Sequence, residues 1–78
     1  MSDQEYARRG VERGEMVPLS SVLRTVRAAR PGRVVNVDLV RTTRRGAIYR
    51  VVVMGSEHDL WQISVDAERN RILGMRRY

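Results

Sequence analysis

The chain contains no cysteine, phenylalanine or lysine, and among its 78 residues it has only one histidine and one tryptophan. Without cysteine, disulfides cannot supplement the core, and the class of Cys-rich secreted mini-proteins is excluded. Cysteine nucleophiles and thiolate-bound metals are excluded for the same reason, and a single histidine does not build the usual zinc site. These absences leave few side chains that could bind a metal or act as a covalent nucleophile.

Long apolar runs are also missing, since none approaches the ~20 residues that span a bilayer. The first residues, MSDQE, have neither the basic nor the apolar region of a signal peptide. Taken literally, this start predicts a cytoplasmic protein, but a chain whose leader had been removed would begin in the same way. We therefore expect no transmembrane segment.

The positive charge of the chain comes from a single type of residue. All 15 basic residues are arginine, and against nine acidic residues they give a net charge of +6. Such an excess favours nucleic acid, an anionic membrane surface or an acidic protein as partner. Because the arginines are scattered and acidic residues lie between them, we interpret most of them as a solvated surface. One local cluster, Arg41, Arg44 and Arg45, could contact phosphates without sequence specificity.

The length allows one domain, which buries only roughly 60% of the surface that its unfolded chain exposes. Residues 1–18 show a weak helical period and predict a short helix from Gln4 to about Arg13, followed by a connector. Residues 19–78 predict the main helix and a sheet. The main helix, Leu19 to Arg30, has apolar residues at i, i+3, i+4 and i+7, and Pro31 and Gly32 end it.

After Gly32 the apolar period changes from 3.6 to 2, which predicts strands at Arg33–Arg41, Ala47–Met54, Leu60–Asp66 and Arg71 to about Met75. The sequence therefore predicts an α+β fold, with one main helix and a short N-terminal helix packed on a three- to four-stranded antiparallel meander sheet. We expect Asn70 to occupy a left-handed turn position. Alternation assigns one face to the core: Val35, Val37, Leu39, Tyr49, Val51, Val53, Trp61, Ile63 and Val65.

Several segments resemble a known family. Residues 30–39 are RPGRVVNVDL, residues 49–53 are YRVVV, and residues 61–73 are WQISVDAERNRIL. This order resembles the PepSY family (the peptidase propeptide and YpeB domain), whose pattern is a helix followed by PGxVxxVxL, YxVxV and VDAxTGxIL. The likeness covers about Leu19 to Leu73, and the chain departs from the pattern where Arg69-Asn70 replaces Thr-Gly.

The resemblance implies a helix packed on an antiparallel sheet and a location outside the cytoplasm, in the periplasm. It also implies a non-catalytic role, in which the domain inhibits or regulates a peptidase or senses a signal in the bacterial envelope. The family has no shared catalytic residues, so the resemblance assigns none to this chain.

The residues themselves also argue against an enzyme. His58 lies in a turn beside Ser56, Glu57 and Asp59, and neighbours in one hairpin loop are not the converging groups of a catalytic site. The spacing Gly10-x-x-x-Gly14 lacks the Gly-Lys-Ser/Thr ending of a phosphate-binding loop. We predict a binding protein without catalytic residues, cofactor or metal.

The predicted interaction surface is the sheet face opposite the core, which is more apolar than a solvated face. We expect a protein partner there, such as a peptidase or an envelope sensor; a homodimer is another possible arrangement. The N-terminal helix folded across this face would instead make it core. Anionic lipid or lipopolysaccharide is the alternative ligand, and specific nucleic-acid binding is disfavoured because alternation places Tyr49 and Trp61 in the core. The predicted contacts are Ile48, Arg50, Val52, Met54 and Leu60.

Overall fold

A computed structural model describes residues 2–44 and 46–78 and has the predicted α+β architecture. Both predicted helices and all four predicted strands are present. The helices are α1 (Asp3–Glu12) and α2 (Leu19–Ala29), and the strands are β1 (Arg33–Thr42), β2 (Gly46–Met54), β3 (Leu60–Asp66) and β4 (Arg71–Arg77).

Helix α1 begins at a serine cap and ends at a glycine turn. The Ser2 hydroxyl accepts a hydrogen bond from the Glu5 N–H at 3.2 Å, which satisfies one of the unpaired donors of the first turn. At the other end Gly14 has φ +74°, a conformation that glycine adopts without steric cost. The N–H groups of Glu15 and Met16 then donate to the Gly10 carbonyl. This turn brings the chain back, and Met16 is buried against Gly10.

Helix α2 supplies the main helical contribution to the core. Val22 and Val26, one turn apart, are fully buried, and burying each side chain contributes about 1.5–3 kcal/mol. The helix ends one residue earlier than predicted. Arg30 is extended, with φ −146° and ψ 93°, because the following Pro31 disfavours a helical conformation at that position.

The four strands form an antiparallel meander in the order β1-β2-β3-β4, so β1 and β4 are the edges of the sheet. The predicted left-handed residue is confirmed, since Asn70 has φ +54° in the turn between β3 and β4. Its side-chain amide donates to the Ser21 carbonyl at 3.4 Å and connects this turn to the start of α2. The core lies between α2 and the sheet, and its fully buried sheet residues are Val51, Val53, Ile63 and Val65.

Two predictions of core residues are wrong. The register shifts between Val34 and Asn36, so Val35 is the extra residue of a β-bulge and is 42% exposed. Val34 pairs with Val53 instead and packs against the core. Trp61 lies opposite Val53 as predicted but is half-buried rather than buried. It stands at the end of the sheet, where α2 has already ended and Arg30 covers the ring.

Candidate binding surface

Both helices lie on the same side of the sheet. Tyr6, Ala7 and Val11 of α1 pack against the same core cluster as Val22 and Val26 of α2. The alternative in which the N-terminal helix crosses the other face is therefore wrong, and neither described helix covers that side. We call this side the outer face. Its side chains, in rows across the strands, are Val40, Ile48, Asp66 and Arg71; Asp38, Arg50, Ser64 and Gly74; Asn36, Val52, Gln62 and Arg76; and Arg33, Met54 and Leu60.

The five predicted contact residues all lie on the outer face, but they are not equally accessible. Arg50 is exposed, and Ile48, Met54 and Leu60 are half-buried. Val52 is only 8% exposed, although no described helix covers it. Asn36 and Gln62 lie opposite it on the neighbouring strands. Most of the apolar contact area therefore comes from the residues around Val52.

A shallow depression of about 260 Å³ lies on the half of the outer face that is nearer the hairpin between β1 and β2. It forms because Ser64 and Gly74 are opposite one another and are too small to fill the row that they share with Arg50. A Cβ atom added to Gly74 would meet nothing within 4 Å. Apolar walls and one arginine surround the depression, whose lining residues are Val40, Thr42, Ile48, Arg50, Ser64, Leu73 and Gly74.

Leu73 is a part of this surface that sequence reasoning missed. The register of β4 shifts between the residues opposite Ser64 and Val65, so Leu73 is the extra residue of a second bulge. The bulge turns Leu73 into the outer depression, where it remains 37% exposed. Strict alternation does not show such an insertion. The only sequence signal was Gly74, since glycine inside a strand is typical of bulges.

The outer face carries more positive than negative charge. Arg33, Arg50, Arg71 and Arg76 lie on it, and none of them forms an ion pair with a described residue. Asp38 accepts a hydrogen bond from the Asn36 amide at 3.3 Å and is the acidic side chain that remains exposed there. The surface is therefore suited to a partner that presents carboxylates together with apolar side chains.

The second acidic residue, Asp66, is committed to its own turn. One carboxylate oxygen accepts from the N–H groups of Glu68 at 2.8 Å and Arg69 at 3.2 Å, and the other lies 3.3 Å from the Arg69 guanidinium. Burial opposes ionisation of Asp66, but these donors outweigh it, and its pKa is lowered. Asp66 thus stabilises its own turn and does not neutralise the charge of the neighbouring Arg71.

Three side chains, Arg30, Asp59 and Trp61, join the end of α2 to the hairpin between β2 and β3. The Arg30 guanidinium lies 3.9 Å from the centre of the Trp61 ring, and the indole N–H donates to Asp59 at 2.8 Å. Asp59 also pairs with Arg30 at 3.5 Å. The indole hydrogen bond, more than any other contact, lowers the pKa of Asp59, aided by its own backbone N–H and by Arg30 against a smaller effect of burial. We call Arg30, Asp59 and Trp61 the indole clamp.

The predicted phosphate-contact cluster is not assembled as a free basic patch. Arg41 lies 4.7 Å from the centre of the Tyr6 ring and 3.6 Å from the Asp3 carboxylate, so it anchors α1. Arg44 is exposed. Arg45 lies outside the described residues.

The turn that holds the lone histidine is exposed. His58 has φ +65°, and its N–H donates to the Gly55 carbonyl at 3.0 Å, which closes the turn. The neighbouring Asp59 already serves the indole clamp. Within residues 2–44 and 46–78, no three acidic or histidine side chains come close enough to bind a metal together, and no helix has the length and apolar character needed to cross a bilayer.

Comparison of the chain with family models, curated proteins and solved structures found no match.

Proposed function

We propose that this protein is a non-catalytic binding module that contacts a protein partner through the outer face of its sheet. One observation carries the proposal: both described helices pack on one side, and the other side presents half-buried apolar residues around an exposed arginine. An antiparallel sheet can leave one face in water, but that face is then normally polar. Apolar patches with a polar rim are typical of protein-binding sites.

Within this surface, Arg50 is the expected anchor, because it stands between the depression and the apolar residues at the other end of β2. Arginine combines an apolar stem with five donors and is enriched among residues that dominate binding energy. Met54 and Leu60, which pair across β2 and β3, supply an adaptable apolar contact. Val52 lies beside these residues on the same face and contributes little area of its own.

The resemblance to PepSY domains supports a finer form of the proposal, in which the module acts in the bacterial envelope and regulates a peptidase or a sensor. One structural feature supports this form: Asn70 adopts the left-handed turn conformation where the family has glycine. Binding to anionic lipid or lipopolysaccharide is the second candidate, favoured by the unpaired arginines of the outer face.

A photo-crosslinking experiment tests the proposed surface. A benzophenone amino acid replaces Asn36, an exposed residue of the outer face, in one variant and Arg27, on the exposed side of α2, in the control. We expect the Asn36 position to give a discrete crosslinked protein in cells and the Arg27 position to give none. The same crosslink should disappear in the double variant R50E/M54S but persist in R27E/L19S, which makes the same change of charge and a similar loss of apolar surface on the helical side. Equal crosslinking from both positions would show that the outer face is not the binding surface.

A further inference from the structure

The edge strand β4 has backbone groups that point away from the sheet. The Tyr78 N–H donates to the Leu60 carbonyl at 2.9 Å, and hydrogen-bonded pairs alternate along an antiparallel ladder. Gly74 and Arg76 therefore turn their backbone toward β3, whereas Met75 and Arg77 turn theirs outward. On the other side of β3, the Ala67 N–H donates to the Ala47 carbonyl. Odd-numbered residues of β3 therefore turn their backbone toward β2 and even-numbered ones toward β4, in agreement with this assignment. The outward groups form a template for a further strand.

The side chains of β4 make this edge basic. Arg71 and Arg76 lie opposite Asp66 and Gln62, so they share the outer face and are four register steps, about 13 Å, apart. Arg77 lies opposite Trp61 on the other face. Among the described residues, none of these three arginines has an acidic partner within ion-pair distance.

This charge discriminates between possible occupants of the edge. Pairing with β4 of a second copy would place six arginines along one seam, and like charges on neighbouring strands are destabilising. An acidic strand would instead neutralise them. Leu73 adds an apolar contact on the outer face, and Met75, which is 47% exposed, adds one on the other face together with Arg77.

The other edge, β1, is less suited to such a ligand. Asp38 lies near the middle of this strand and would repel carboxylates. Arg41 is already paired with Asp3 and stacked on Tyr6. Among the described residues, β1 thus has one arginine without an ion pair, Arg33, and an acidic residue, whereas β4 has three such arginines and no acidic residue.

We propose that β4 binds an extended acidic segment of a protein partner by β-strand addition, with carboxylates four residues apart on Arg71 and Arg76. Backbone hydrogen bonds to Met75 and Arg77 provide affinity, and the arginines select for acidic side chains. This inference rests on the proposed function, because it specifies the partner of a protein-binding module. It concerns the β4 edge of the sheet, whose Arg71 and Arg76 border the outer face, and not Arg50 and Met54 on β2.

Fluorescence anisotropy with a defined peptide tests the proposal. The probe is a labelled octapeptide of alternating threonine and valine with glutamate at its second and sixth positions, and the control peptide has lysine there. We expect saturable binding of the glutamate peptide, with an affinity that falls as salt increases, and no measurable binding of the lysine peptide. R71E/R76E should weaken binding by at least about tenfold, the effect of losing one or two charge-assisted hydrogen bonds. The control R8E/R27E makes the same change of charge on exposed helix residues and should leave the affinity within about twofold of the wild type.

Met75→Pro tests the strand geometry separately from charge. Proline removes an N–H that points away from β3, so an edge strand tolerates it, but a strand added at this position loses a hydrogen bond and meets the ring. We expect unchanged circular dichroism and at least about tenfold weaker binding. If this variant unfolds, a peptide that is N-methylated at alternate residues tests the same hydrogen bonds from the ligand side, and one of the two methylation patterns should abolish binding.

Other outcomes would overturn the proposal. Binding that survives both M75P and peptide methylation would show that the peptide does not add as a strand. Equal binding of the lysine peptide would remove the charge argument. Phosphatidylglycerol vesicles that bind through Arg71 and Arg76, while the peptide does not bind, would assign the edge to lipid. A dimer in light scattering that M75P dissociates would assign it to a second copy. The outer-face variant R50E/M54S should still bind the peptide, so failure of the outer-face proposal and failure of this one are distinguishable.

Discussion

The indole clamp gives the most quantitative prediction, because its three side chains are the main connection between the end of α2 and the hairpin. We consider Arg30→Met, which keeps an unbranched apolar stem over the ring but removes the guanidinium. The loss of a cation from the face of a partly exposed ring costs about 0.5–1 kcal/mol. The ion pair with Asp59 adds at most about 0.5 kcal/mol, since the Arg30 side chain is 39% exposed and such pairs are weak.

The expected destabilisation is therefore about 0.5–1.5 kcal/mol, which lowers the Tm of a domain of this size by roughly 2–12 °C. Thermal unfolding followed by circular dichroism measures this change directly. Trp61 is the one tryptophan of the chain, so its fluorescence reports on the clamp without interference. We expect its emission maximum to shift, because the guanidinium no longer lies over the face of the ring.

Two comparisons make the reasoning refutable. Arg27→Met removes a cation from the last turn of the same helix, but Arg27 forms no contact with an aromatic ring in the described chain; its Tm should fall less. Asp59→Asn removes the ion pair and keeps an acceptor for the indole N–H. If stacking dominates, Arg30→Met should cost nearly as much in the D59N background as in the wild type. Equal effects of the Arg30 and Arg27 variants, or an unchanged emission spectrum, would refute the assigned role of the clamp.

Two further predictions concern the sheet and the effect of pH. Gly74→Ala should stabilise the protein by about 0.4–1 kcal/mol in urea denaturation, because the added Cβ meets no atom within 4 Å and lowers the entropy of the unfolded chain; a loss of stability would show that the depression is not open. The lowered pKa values of Asp59 and Asp66 stabilise the fold above the unfolded Asp pKa of about 3.9, so stability should fall as the pH drops below that value, and D59N/D66N should flatten this dependence in urea titrations. At the other end, burial and the nearby Asp3 charge raise the pKa of Tyr49, so stability should fall again above about pH 10, and Tyr49→Phe should remove that loss.

Much of the fold was predictable because periodicity is a direct consequence of geometry. The apolar positions of Leu19 to Ala29 match one face of a helix, and the period of 2 after Gly32 matches a pleated strand. The ends of these elements follow from local chemistry, as Pro31 and Gly14 show. Helix α1 was predicted within one residue at each end, even though its period is weak.

The two bulges were not predictable by the same reasoning. Val34 and Val35 are identical, so the sequence allows either of them to face the core. The pairing of Val34 with Val53 decides between them. In β4, both Ile72 and Leu73 are apolar, and again the partner strand selects one: Ile72 opposite Val65 packs against the core, and Leu73 is the inserted residue. A bulge depends on contacts between strands, which a local pattern does not contain.

The position of α1 depends on long-range contacts too. Its apolar residues could have covered either side of the sheet. Three interactions hold it on the helical side: Arg41 with Asp3, Arg41 with Tyr6, and Met16 against Gly10. The first two join residues more than thirty positions apart, and nothing in either segment alone indicates the partner.

The stability of the fold explains some apolar residues of the outer face but not others. Val52 is nearly buried on the outer face, so its apolar character follows from the fold alone. Ile48, Met54 and Leu60 are half-buried, and Leu73 is more exposed still. Polar β-formers such as threonine would satisfy the strand preference at these positions at little cost. The proposed binding function accounts for these apolar side chains, set among unpaired arginines.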